Sequence, residues 1–134
     1  MKVKKEKERV SLFRCLIQMK NKKILVIDDT KDLNDMFALA FECEGCFVRQ
    51  SFDGKDGFAV YKEFQPDVIL LDIMMPEMDG NEVLAHIQEE GDPQPLIIIF
   101  SNMEWKGETS EHVRYIKKSS ITPTEMVEQV KKMM

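Results

Sequence analysis

The chain contains no apolar run approaching the roughly 18 residues that a membrane span requires, and residues 1–18 lack the uninterrupted apolar stretch and small-residue cleavage site of a signal peptide. A membrane partner is therefore not expected, and the cytoplasm is the expected compartment. Cysteine is scarce and odd in number: Cys15, Cys43 and Cys46 read as free thiols in a reducing compartment. Cys43-Glu44-Gly45-Cys46 matches Cys-x-x-Cys, but Cys43 closes a helical pattern and Cys46 opens a strand. Neither thiol gains a helix N-terminus to lower its pKa, which argues against a redox role.

Positive charge is scarce everywhere except the front end. Of the 134 residues, 1–22 carry eight Lys/Arg against two Glu, a local +6; that leaves 11 Lys/Arg against 22 Asp/Glu, or −11, for residues 23–134. Such an acidic body lacks the electrostatic footprint of nucleic-acid binding, so no direct nucleic-acid partner is expected. The length suffices for one hydrophobic core and not for two. Residues 1–21 form a basic extension, with Val10, Leu12, Phe13, Leu16 and Ile17 spaced as a marginal amphipathic helix. It reads as a loosely helical tail or, because Met19 lies five residues before the first strand, as an extension upstream of the true start. The domain proper is expected over 22–134.

Strand and helix patterns alternate through that domain. Ile24-Leu25-Val26-Ile27 is a short buried strand ending in Asp28-Asp29. Thr30 then precedes a helical spacing of Leu33, Met36, Phe37, Ala40 and Phe41 that Gly45 ends. Residues 46–50 make a weaker strand; Gly54 to Phe64 is helical, with Pro66 blocking its continuation; and Val68-Ile69-Leu70-Leu71 is a third strand running into Asp72. Val83, Leu84 and Ile87 mark the next helix, with Asp79 at its start, and Leu96 to Phe100 is the most apolar strand, ending in Ser101. Val113 to Ile116 is a fifth strand, and Thr122-Pro123 opens a last helix. The alternation predicts an α/β fold, a doubly wound parallel sheet.

Ligands bind such sheets beyond the carboxyl ends of the strands. There the sequence places Asp28 and Asp29, Asp72, Ser101 and, just past the fifth strand, Lys118. Three carboxylates at one edge repel each other unless a cation is bound, and a hard divalent ion with oxygen ligands, Mg2+, suits them. With that ion, Asp72 has the surroundings of a nucleophile that takes up a phosphoryl group. Lys118 would offset charge on the phosphoryl oxygens, and the Ser101 hydroxyl would donate to them.

Four segments carry a family resemblance: Lys-Lys-Ile-Leu-Val-Ile-Asp-Asp at 22–29, Asp-Ile-Met-Met-Pro-Glu-Met-Asp-Gly at 72–80, Ile-Ile-Ile-Phe-Ser at 97–101 and Tyr-Ile-Lys-Lys at 115–118. Together they resemble response-regulator receiver domains of two-component signalling, of the stand-alone, chemotaxis-regulator-like kind, over about residues 22–134. The resemblance implies a flavodoxin-like five-stranded sheet of order 2-1-3-4-5. It also implies phosphorylation of Asp72, Mg2+ held by Asp28, Asp29, Asp72 and the backbone carbonyl of Met74, and catalytic support from Ser101 and Lys118. Ser101 and Tyr115 become the switch pair. The implied partners are a histidine kinase or phosphotransfer protein and a downstream target protein; the last helix reaches the end of the chain, so output is expected through protein contacts. An enzyme in the ordinary sense is not expected, only self-catalysed phosphotransfer and dephosphorylation.

The chain departs from the pattern in places. Only 14 residues separate Ser101 from Tyr115, and Asn102 to His112 shows no apolar stripe, so the fourth helix, between the fourth and fifth strands, is expected to be shortened or absent. Ser119 stands after Lys118 where the family commonly has proline, so a cis peptide is not expected there. Met74 and Met103 put apolar groups near Asp72, which predicts a long-lived phosphoryl group. Two competing readings stay open: a degenerate receiver that binds partners without phosphorylation, suggested by the eroded fourth helix, and a Mg2+-dependent phosphohydrolase, for which neither a second acid nor a substrate cap is evident.

Overall fold

The computed structural model describes residues 19–134. The expected tail over 1–18 lies outside the described residues. Strand β1 (Lys23–Ile27) is followed by α1 (Lys31–Glu42), β2 (Phe47–Ser51), α2 (Gly54–Phe64), β3 (Val68–Leu71), α3 (Gly80–Glu89), β4 (Leu96–Ser101), β5 (Val113–Lys117), a 3-10 turn (Lys118–Ser120) and α4 (Pro123–Met133). All pairings are parallel, in the order β2-β1-β3-β4-β5, as expected from the sequence.

Because side chains alternate across a strand, each apolar run feeds two layers. Ile24, Val26, Val68, Leu70, Ile98 and Phe100 face Phe37 and Phe41 of α1 and Met126, Val127 and Val130 of α4. Leu25, Ile27, Ile69, Leu71, Ile97 and Ile99 face Val60 of α2 and Val83, Leu84 and Ile87 of α3. Each such side chain contributes about 1.5–3 kcal/mol by leaving water, which is why the three central strands can be apolar without alternation. Three of the described helices start at side-chain caps, whereas Thr30 before α1 makes no side-chain cap hydrogen bond. Asp53 and Asp79 accept from the N–H groups of Asp56 and Glu82, and Thr122 forms a reciprocal capping box with Glu125.

Two boundaries differ in detail from expectation. Strand β2 starts at Phe47 rather than Cys46, whose buried thiol donates to Met19 O at 3.2 Å. Burial pushes that thiol up to about 11, the opposite of redox activation. Met19 is itself fully buried, so residues grouped with the extension already belong to the packed core.

Among the described residues no helix joins β4 to β5. Residues 102–112 instead run as irregular chain, and where a helix would cover β5 the second layer ends in half-buried Trp105 and Tyr115. The one cis peptide among the described residues joins Asp92 to Pro93, and the chain after Lys118 continues as the 3-10 turn. No described helix is long and apolar enough to cross a membrane.

Candidate functional site

Strand register builds the site. Ile27 lies beside Leu71 in the β1–β3 pairing, so the next residues, Asp28 and Asp72, emerge side by side at the carboxyl edge. Ser101 pairs with Lys117 at the end of β4 and β5, which brings Lys118 to the same edge. One oxygen each from Asp28, Asp29 and Asp72 lies within 4.8 Å of the others. Asp28 and Asp72 are buried, whereas Asp29 is exposed.

Lys118 answers the buried charge. Its Nζ stands 2.6 Å from Asp28 Oδ2 and 3.4 Å from Asp72 Oδ2, with its side chain 12% exposed. The ammonium also lies over the Phe100 ring, 5.3 Å from the centroid. One cation facing two buried carboxylates leaves excess negative charge. Accordingly the Asp72 carboxyl is pushed up to about 6, first by burial and then by Asp28, while Lys118 and the Met74 N–H pull it down. Asp28 Oδ2 is buried and has the Lys118 ammonium as its partner. Three carboxylates converging with one ammonium form an all-oxygen donor set with surplus negative charge, which fits a small, hard divalent cation.

The carboxylates are held by backbone. Thr30 N–H donates to Asp28 Oδ1 at 2.9 Å, and Met74 N–H to Asp72 Oδ1 at 3.3 Å. Gly80 is required by close approach: a Cβ there would stand 2.2 Å from the Asp72 carbonyl oxygen, so the turn 72–80 closes directly onto the backbone of Asp72. One contributor escaped the sequence reading. Asn34, buried within α1, donates from Nδ2 to the carbonyls of Asp28 (3.0 Å) and Ser51 (2.9 Å) and accepts from Gln50 Nε2 (2.9 Å). It therefore clamps the end of β1 where the acidic pair sits. The signal was present, an amide on the apolar stripe that Phe37, Ala38 and Phe41 define.

Ser101 and Tyr115 share the edge, but among the described residues no hydrogen bond joins them to the carboxylates. Ser101 Oγ accepts from Met103 N–H at 3.2 Å. The Tyr115 hydroxyl donates to Met103 O at 2.9 Å and lies 3.4 Å from Ser101 O, so the aromatic is already turned in on the β4–β5 connection. Asp79 caps α3 and takes no part in the cluster. His86 packs its ring 5.2 Å from Phe58, on the surface of the second layer.

Comparison with known proteins agrees with this geometry. The family model described as response regulator receiver domain matches residues 24–131. Two curated proteins of Mycobacterium tuberculosis are similar: the transcriptional regulatory protein TrcR, 32% identical over 77 residues (58% of this chain and 30% of TrcR), and the probable transcriptional regulatory protein TcrX, 33% identical over 76 residues (57% and 32%). The matched part thus spans about a third of the length of either relative. Among solved structures, the receiver domain of the Francisella response regulator 1452 superposes with a TM-score of 0.71 at 27% identity, covering 84% of this chain and 96% of that one. The Vibrio cholerae chemotaxis response regulator CheY4, at 21% identity, shares the fold with a TM-score of 0.71 over 86% and 100% of the two chains. An acidic cluster beside a buried lysine, a sheet of order 2-1-3-4-5 and a family match over residues 24–131 agree: this chain belongs to the response regulator receiver domains of two-component systems.

Proposed function

We propose that Asp72 is the phosphoacceptor of a phosphorylation-dependent receiver, loaded from the phosphohistidine of a histidine kinase or phosphotransfer protein. The observation that carries this reading is the Asp28–Asp72–Lys118 contact at the strand edge. In the transfer, an Asp72 carboxylate oxygen attacks phosphorus as the P–N bond to the donor imidazole breaks. The imidazole retains the electron pair and takes a proton, and Asp72 becomes an acyl phosphate. Asp28, Asp29, Asp72 and the Met74 carbonyl oxygen would hold Mg2+, which when bound supplies charge neutralisation for the phosphoryl oxygens. Lys118 offsets the remaining charge, and the Ser101 hydroxyl, while its oxygen accepts from Met103 N–H, would donate its own proton to the phosphoryl group.

Turnover is confined to the chain's own phosphorylation and dephosphorylation, and output passes through contacts with a target protein. The exposed thioethers of Met74 and Met103 offer water no orienting polar group, so the acyl phosphate is long-lived; a lifetime of only seconds in purified protein would contradict that part. The missing helix between β4 and β5 favours a second reading, a binding module that acts without phosphorylation. Incubation with a small phosphodonor, with and without Mg2+, separates the two. The receiver reading expects an accumulating, Mg2+-dependent mass gain of one phosphoryl group in wild type and none in Asp72→Asn. No gain under any condition favours the binding module, and rapid donor hydrolysis without phosphoprotein would point to a hydrolase.

A further inference from the structure

Trp105 lies in the irregular β4–β5 connection, yet it is the one residue of 102–112 that is not exposed. Its indole Nε1–H donates to Asn81 Oδ1 at 3.0 Å, in the first turn of α3. Its ring stacks on Tyr115 with centroids 6.3 Å apart and planes 21° from parallel. The backbone at Gly107 crosses the indole so closely that a Cβ there would stand 2.0 Å from Trp105 Cζ2; only glycine lets the chain pass. Three independent features thus converge on one side chain.

Those contacts join the two loops that flank the Asp72 carboxylate. Asn81 follows Gly80, which is pressed onto the Asp72 carbonyl and whose N–H donates to Ile73 O at 2.9 Å. Tyr115 is hydrogen-bonded to the carbonyls of Ser101 and Met103, and Met103 N–H holds the Ser101 hydroxyl. We propose that Trp105, Asn81 and Gly107 form a clasp that stands in for the missing helix. It fixes the β4–β5 connection to α3 and positions Ser101 and Tyr115 for the phosphoryl group on Asp72. Trp105 is a positioning residue: it acts through Tyr115 and the Ser101–Met103 backbone. Because the observed Tyr115 is already turned in, the clasp favours the arrangement that receives the phosphoryl group. By linkage, occupancy of Asp72 must then alter the clasp as strongly as the clasp alters occupancy.

This inference rests on Asp72 being the phosphoacceptor, and the test keeps the two apart. Trp105 is the only tryptophan of the chain, so its emission reports the clasp, while mass spectrometry reports Asp72. The 134-residue chain is treated with Mg2+ and a small phosphodonor, or with beryllofluoride as a phosphoryl mimic whose affinity is measured by calorimetry. Wild-type emission is expected to change with the mass shift, and Asp72→Asn is expected to be silent in both. Asn81→Ala and Trp105→Phe should each weaken beryllofluoride binding about fivefold, the effect of one ordinary hydrogen bond. The double variant should be no weaker than either single, because both remove the same bond, and Asn81→Asp, which restores an acceptor, should recover wild-type affinity. Asn81 is exposed in the first helical turn, so its replacement leaves the core intact. A mass shift at Asp72 without a change in emission, or beryllofluoride affinity unaltered in Asn81→Ala and Trp105→Phe, overturns the clasp and leaves the phosphoacceptor reading standing. No mass shift in wild type overturns both.

Discussion

The two sides of the candidate site are built differently. On the β1–β3 side, Asp28 and Asp72 are nearly inaccessible, and strand pairing, two backbone N–H groups and the Asn34 amide fix the segments that carry them. On the β4–β5 side, Ser101 is buried, but the eleven residues from 102 to 112 contain no regular element and all are exposed except half-buried Trp105. One side is thus a rigid charge trap, the other a connection held by a few side-chain contacts. Chemistry that needs fixed carboxylates suits the first side, and a response that needs two arrangements of similar free energy suits the second.

The largest effects are expected from the rigid side. Lys118→Met leaves Asp28 and Asp72 buried without their counter-charge, a change that costs about 3–5 kcal/mol when such a pair is broken. Urea unfolding at pH 7 without divalent ions should show this loss, and added Mg2+ should restore part of it; an unchanged midpoint would mean that the cluster is not the charge trap described. Asn34→Ala comes next. It strips the Asp28 carbonyl of its amide donor and leaves Gln50 without one of its acceptors, at about 2–3 kcal/mol for buried groups left unsatisfied. It should also weaken Mg2+ binding, which a titration reads separately from stability.

The contrast explains what could be read from the sequence. The sheet was legible because each strand is a short apolar run closed by a polar residue, and the site because parallel strands deliver their final residues to one edge: Asp28, Asp72, Ser101 and Lys118 follow from strand ends alone. The missing helix was legible as the lack of an apolar stripe between Asn102 and His112. Less visible were contacts between segments distant in sequence. Asn34 announced itself only as an amide on an apolar face, and its acceptors at Asp28 and Ser51 depend on β1 and β2 being neighbours. The Trp105–Asn81 pair spans 24 residues and has no periodic signature, so only the packed chain reveals it.

A third test uses the surplus negative charge of the rigid side. In the folded protein without metal the Asp72 carboxyl is raised from 3.8 to about 6, so between these values the folded chain keeps a proton that the unfolded chain has released. Stability from this group therefore falls as pH rises from about 4 to 6, and the full penalty stands at pH 7. Asp72→Asn cannot ionise, and it should be more stable than wild type by about 3 kcal/mol at pH 7 without Mg2+, with the gain gone below pH 4. Mg2+ requires the ionised carboxylate, so its affinity for wild type should drop as pH falls through 6. A variant less stable than wild type at pH 7 would show that Lys118 already compensates both carboxylates.

The smallest effect is expected on the loosely held side, and its smallness sharpens the contrast. Tyr115→Phe keeps the ring stacked on Trp105 and removes only the hydroxyl contacts to Met103 O and Ser101 O. Tyr115 is half-exposed, so water can take the place of the lost partner at those carbonyls, and the cost should be about 0.5–1 kcal/mol in urea unfolding. Its local consequence should be larger than its global one. With Met103 released, backbone amides between 102 and 105 should exchange with solvent severalfold faster, while those of β1 and β3 keep the protection of the global transition. If exchange instead quickened equally in both regions, the hydroxyl would be holding the whole sheet edge, and the division between a fixed charge trap and a movable connection would fail.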